Sequence, residues 1–253
     1  MLSTIITVVR YELRRALNPL RMLMGGLLVM FPVGLVYCAR SLGGPLPLEF
    51  AAFVSCMLIP QMLVLLSLLR SAVPMIQSEV EAQSWIYLAL RPRGKESLVI
   101  GKYLVAVALS ILGGLVATVA CSPIIVDPPN VLPYIVNLSG LVVLSSAAYG
   151  AMYTLIGVAI QRRAMVVAVA YTLGVEVIIS LLPATINQLT VSFRLRSLLL
   201  EWFQLPVDPE LQALFGHETS LTHIIKLLIY TLILLGMAVA VIRVRQLPVQ
   251  GES

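Results

Sequence analysis

Few residues in this chain are placed to do covalent chemistry. His217 and His223 flank Glu218, and the His-Glu-x4-His run contains metal-ligating residue types. Its spacing matches no pair of ligands on one helix face, where partners stand three or four residues apart. The two histidines therefore read as solvated loop residues. Glu176 is the only charged residue in its apolar stretch. A carboxylate in hydrocarbon costs on the order of 3 kcal/mol, so this one must face a partner helix, a second subunit or a water-filled path. Two readings stay open: a substrate-pathway or proton-linked group, and a hydrogen-bonded tie between helices. There is no GxSxG, no HExxH and no G-x-x-x-x-G-K-[ST]. Gly101-Lys102 has Glu96 where the first glycine of a phosphate loop should stand. Cys38, Cys56 and Cys121 are scattered without CxxC spacing and read as small buried hydrophobes. The expectation is a chain that is not an enzyme, with no metal and no cofactor of its own.

The elements that position these residues are set by composition. Of 253 residues, 59% are hydrophobic and 11% are charged. The mean hydropathy is +0.98. A soluble domain of this size cannot hide so much apolar surface. A soluble enzyme, a disordered chain and a nucleic-acid-binding domain are disfavoured, and the net charge of +5 reads as basic loops facing anionic lipid.

Six apolar stretches can be marked, at about 22–39, 51–76, 98–121, 137–160, 164–184 and 224–242. Each reaches the roughly 18 residues that a spanning helix needs. Strict alternation is absent, which argues against a barrel. The expected fold is therefore an all-α integral membrane protein with six transmembrane helices in a single domain over 1–253. Pro32, Pro60 and Pro74 fall inside spans and mark kinks. Small residues recur at four-residue steps, Ala106, Ser110, Gly114 and Thr118 in the third stretch and Ala147 and Ala151 in the fourth. They predict close helix packing.

Basic residues set the orientation. Twelve of them lie before the first stretch, between the second and third or (Lys102) near the start of the third, between the fourth and fifth, and after the sixth. Four lie on the opposite side: Arg40, Arg194, Arg196 and Lys226. Arg70, near the end of the second stretch, snorkels toward the twelve. The bias places both termini in the cytosol. No cleavable signal peptide is visible, and the first stretch acts as an uncleaved anchor.

Outside the spans, residues 2–17 carry Ile5, Ile6, Val9, Leu13, Ala16 and Leu17 at helical spacing. Arg10, Arg14 and Arg15 fill much of the rest, and Asn18-Pro19 ends the helix. This predicts an amphipathic helix lying on the inner leaflet, in contact with lipid. The cytosolic segment 77–97 predicts a short half-apolar helix with Glu79 and Glu81 in its first turn. Trp85 and Tyr87 lie on its apolar side, and Arg91-Pro92 stops it. The outer segment 185–223 carries Leu195, Leu198, Leu199 and Trp202 and predicts an interfacial or re-entrant helix.

Taken together, Glu79-x-Glu81, Trp85-Ile86-Tyr87-Leu88, Arg91-Pro92 and Leu98-Val99-Ile100-Gly101-Lys102-Tyr103-Leu104 resemble the cytosolic loop of type-2 ABC transporter permeases. The motif match covers about 25 residues. The six-span layout, the N-terminal amphipathic helix and the longer outer loop extend the likeness along the chain. Gln83-Ser84 departs from the family's usual glycine-threonine-like pair, and Arg93-Gly94-Lys95 stands where Ser/Thr-Arg is expected. The resemblance implies an exporter-type permease subunit of the inner membrane that pairs with a second copy or a sister permease. It also implies that the chain docks a cytosolic ABC ATPase, with ATP and Mg held by that partner. On this reading the helix from Glu79 to Arg91, with Pro92 at its end, is the coupling helix. The spans and charge bias alone fit equally a non-transporting polytopic membrane scaffold or assembly factor. An intramembrane enzyme would need paired polar groups at one depth, and Glu176 has no evident partner in any span.

Overall fold

The computed structural model describes residues 2–44, 47–77, 79, 94–126, 128–160, 163–178, 190–205 and 219–244. Among them every regular element is helical. Helix α1 is Leu2–Ala16 and α2 is Pro19–Gly43. The run Leu48–Met75 forms α3, and α4 is Gly94–Ile125. Helix α5 is Val131–Ala159. Helix α6 is Ala164–Tyr171, prolonged by a wide π-helical stretch over Thr172–Ile178. Helix α7 is Val191–Trp202 and α8 is Ser220–Val244.

Local chemistry explains where the helices stop and bend. Asn18 separates α1 from α2: its side-chain oxygen accepts the Leu20 N–H at 3.4 Å, and Pro19 occupies the first helical position. Proline lacks an N–H that would be orphaned there in any case. Gly44, at φ +76°, closes α2 by donating its N–H to the Arg40 carbonyl. In α3, Pro60 sits within a π-helical stretch, Met57–Leu63. The wider turn accommodates a ring that would otherwise strike the preceding carbonyl. Pro74 lies in a 3-10 turn, Val73–Met75, at the end of the same helix. Pro32 leaves α2 continuous.

The helices extend past the apolar stretches by a few residues at most ends, because polar and small residues such as Glu96 and Ser97 fit within a turn of the helix without breaking its periodicity. Helices α4 and α5 pack along the small-residue stripe. A Cβ on Gly114 would stand 2.5 Å from Val142, and the Ser110 and Ser146 hydroxyls meet at 3.3 Å. Gly157 of α5 lies against the backbone of α3, where an added Cβ would stand 2.5 Å from the Val73 carbonyl oxygen. The core clusters around α5, with Tyr149, Tyr153, Leu138 and Leu141 buried against Leu68 of α3 and Leu198 of α7.

Helix α7, predicted as an interfacial or re-entrant helix, packs against α5, α8 and α3. Trp202 lies over Gly140, and Asn137 donates to the Trp202 carbonyl at 2.9 Å. Nearby, the Tyr134 and Phe203 rings meet edge to face with centroids 5.1 Å apart.

The outer faces of the bundle are as apolar as its interior. Leu27 of α2 is 65% exposed and Leu232 of α8 is 68% exposed, amid exposed methionine, leucine and isoleucine neighbours. Water does not solvate faces of this kind, whereas lipid does. Among the described residues five helices, α2, α3, α4, α5 and α8, are long and apolar enough to cross a bilayer. The chain is an all-α, multi-pass membrane protein. The apolar run beginning at Ala164 is shorter among the described residues, and 179–184 of the stretch marked in the sequence lies outside them.

Candidate functional site

Two polar clusters stand out in this apolar bundle. The first is at the end that carries α1. Glu79, just beyond α3, is 4% exposed and turned inward. Its carboxylate lies 2.6 Å from the Lys102 ammonium of α4 and 3.6 Å from Arg15 of α1. Lys102 also donates to the Met75 carbonyl at 2.9 Å. Glu12 of α1 approaches Lys102 at 3.1 Å and Arg15 at 3.8 Å. The contacts of Glu12 Oε1 are ion pairs without hydrogen-bond alignment. Two carboxylates and two cations thus neutralise one another at the meeting point of three elements. Burial is tolerable because each charge has an opposite neighbour. Gly101 allows this approach: a Cβ there would stand 2.8 Å from Val8 of α1.

A further ion pair lies at the start of α4. Glu96, 8% exposed in the first turn of α4, pairs with Arg243 of α8 at 2.7 Å. An ion-paired glutamate thus stands on either side of 80–93, at Glu79 and at Glu96. Glu81, Trp85, Tyr87, Arg91 and Pro92 lie outside the described residues. Arg10 and Arg14 are on the exposed side of α1, whereas Arg15 turns into the network.

The second cluster surrounds Glu176 and supplies the partners that the sequence did not reveal. Its carboxylate accepts from the Tyr149 hydroxyl of α5 at 2.9 Å and the Tyr171 hydroxyl at 3.2 Å. It also accepts from Ser192 twice, through the hydroxyl at 2.6 Å and the backbone N–H at 3.1 Å. Tyr171 and Glu176 are five residues apart. The wide turn over Thr172–Ile178 brings that spacing onto one face, as an ordinary α-turn does for spacings of three and four. Ser192 lies in the first turn of α7, whose N-terminal N–H groups have no partner within the helix and carry partial positive charge. Thr190 caps the same turn by accepting the Phe193 N–H at 3.2 Å. Tyr153 and Thr172 share a further hydroxyl contact at 2.5 Å. These contacts join α5, α6 and α7 through one buried carboxylate.

Among the described residues no three of His, Cys, Asp and Glu converge as a metal site would require. His223, expected in a solvated loop, is instead 2% exposed in the first turn of α8. Its helix packs against α5 and α7 and carries it inward. His217 and Glu218 lie outside the described residues. Cys56 and Cys121 are buried as expected, but Cys38 is on the exposed side of α2. That helix packs through few positions, among them Pro32 and Val36.

Sequence reasoning singled out Glu79 and Lys102 within one motif and Arg15 on α1, but missed Glu12 as their fourth member. The signal for Glu12 was its place one turn before Arg15. The chain matches no family model, no curated protein sequence and no solved structure.

Proposed function

We propose that this chain is the membrane-spanning permease subunit of an ATP-driven ABC transporter, of exporter type. In this reading the run from Ala164 continues through 179–184 as the sixth span, and both termini and segment 77–97 face the cytosol. The twelve-to-four distribution of basic residues supports that orientation. Helix α1 lies along the inner leaflet, with Arg10 and Arg14 toward the lipid headgroups. Two such chains, or this chain and a sister, form the transmembrane assembly in the inner membrane. ATP and Mg reside on separate cytosolic ATPase subunits.

One observation carries the reading. The segment resembling a coupling loop starts at Glu79, and Glu79 is ion-paired to both α1 and α4. A push on that segment is thereby delivered to two helices at once, as a coupling device requires. Glu79 is buried, so its role here is to position the segment, and the docking surface falls to Trp85, Tyr87 and Arg91. Glu96 and Arg243 fix the far end of the segment and link it to α8.

The test is co-purification. Tagged chain extracted from native membranes is expected to bring down a P-loop ATPase, and Trp85→Ala with Tyr87→Ala is expected to abolish that association while membrane insertion persists. Undiminished association after both changes, or no ATPase with the unaltered chain, would contradict the docking assignment.

A further inference from the structure

A cavity of about 520 Å³ opens between α1, α2, α3 and α4 on the side of the ion network facing the start of α2. Volumes in this range hold small amphiphilic ligands. Its walls divide into two zones. At the α1 end the ionisable residues are Arg15, Arg21, Arg70, Lys102 and Glu12, four cations and one acid. Deeper in, the walls are Leu28, Val29, Leu63, Val105, Leu109 and Gly113. From Lys102 to Gly113 the α4 wall rises about 16 Å, close to half the roughly 30 Å thickness of a hydrocarbon core.

The cations are not equivalent. Lys102 and Arg15 are paired with Glu79 and Glu12. Arg21 and Arg70 form no ion pair with a carboxylate among the described residues. Arg70 instead donates to the Arg21 carbonyl in the first turn of α2 at 3.2 Å. Its guanidinium also sits 3.6 Å from where a Cβ on Gly25 would stand. Two guanidinium groups are thus gathered at the mouth of an apolar slot with no counter-charge of their own. The neighbouring rim is exposed and greasy, with Leu20 at 65% and Leu23 at 62%, so the slot borders the bilayer.

We infer that this cavity binds an anionic phospholipid of the leaflet at the α1 end. The phosphate lies at Arg21 and Arg70, and an acyl chain lies along Leu28, Val29 and Leu109. Guanidinium groups suit phosphate oxygens because their forked N–H groups match the acceptor geometry. Charge complementarity at the mouth and single-leaflet depth in the slot together select a two-part ligand already present in the membrane. The lipid would wedge α2 and α1 apart from α3 and α4, beside the Glu79–Lys102 link. The inference rests on the multi-pass membrane architecture and not on the transporter reading, and its test involves no ATPase.

The experiment is native mass spectrometry of the full chain released from bilayers of equal parts phosphatidylcholine and phosphatidylglycerol. The unaltered chain is expected to retain phosphatidylglycerol preferentially. R21Q/R70Q is expected to lower that preference about tenfold or more, whereas R21K/R70K keeps much of it. G113L, which fills the deep zone and leaves every charge in place, is expected to lower retention as well. Equal retention of the two lipids by the unaltered chain overturns the inference. So does undiminished phosphatidylglycerol on R21Q/R70Q or on G113L, or retention of a free fatty acid in place of phospholipid. Should R21Q/R70Q fail to fold, the unaltered chain and G113L decide the matter.

Discussion

Lys102 stands 2.6 Å from Glu79, and this contact joins the start of α4 to the chain just beyond α3. Both side chains are nearly inaccessible, at 5% and 6%. The pair is therefore a different kind of interaction from Glu96 with Arg243, where the carboxylate is 11% exposed but the arginine 61%. Removing one partner of a buried pair leaves an uncompensated charge, whereas an exposed pair is screened by water and salt.

Lys102→Met should accordingly destabilise the chain by about 3–5 kcal/mol, and Arg243→Met by less, because the arginine it removes is largely exposed although Glu96 is not. Thermal unfolding in detergent, followed by tryptophan fluorescence, compares the two. Lys102→Met combined with Glu79→Gln should cost less than the sum of the single changes, because each removes the reason the other is harmful. Strict additivity would mean that the two side chains do not interact.

The Glu176 cluster makes a separate prediction. Glu176→Ala strips the acceptor from two tyrosine hydroxyls, the Ser192 hydroxyl and the Ser192 N–H, and should destabilise by at least about 1–3 kcal/mol. Hydrogen exchange should rise first at the N-terminus of α7. Glu176→Gln keeps one carbonyl oxygen for Ser192 and should do less harm. On the proposed transporter reading, a Glu176→Gln chain with unaltered unfolding that loses transport would place the carboxylate on a translocation path.

Glycines divide by what faces them. Gly157→Ala forces a methyl against the Val73 carbonyl on α3, backbone that cannot rotate away, and should cost about 1–3 kcal/mol. Gly34→Ala meets nothing within 4 Å on α2 and should be neutral or stabilising by up to about 1 kcal/mol. Melting temperatures of the two variants, measured side by side, check the contrast. A Gly157→Ala chain as stable as Gly34→Ala would deny the close approach of α3 and α5.

Much of the helical layout was legible because membrane helices announce themselves by length and apolarity alone. The stripe from Ala106 to Thr118 was also readable, since close packing demands small residues at fixed spacing, and Ser110 and Gly114 do meet α5. The partners of Glu176 were not readable. Its link to Tyr171 depends on a π-helical turn, and its link to Ser192 depends on α7 folding inward, and neither leaves a periodic signature. His223 was misplaced for the same reason: polarity of the neighbouring sequence indicated a loop, while tertiary packing buried the side chain. The ion network was half visible, because charge type can be read along a chain but a pairing across 23 residues, such as Lys102 with Glu79, cannot.

In the proposed transporter the engine belongs to another polypeptide and grips the segment beyond Glu79. The most direct measurement is ATP hydrolysis in proteoliposomes holding the complex purified through a tag on this chain. Vanadate-sensitive hydrolysis is expected, falling to background when Trp85 and Tyr87 are replaced by alanine although the chain remains folded and inserted. Absence of hydrolysis with the unaltered chain, or hydrolysis indifferent to those two replacements, would contradict it.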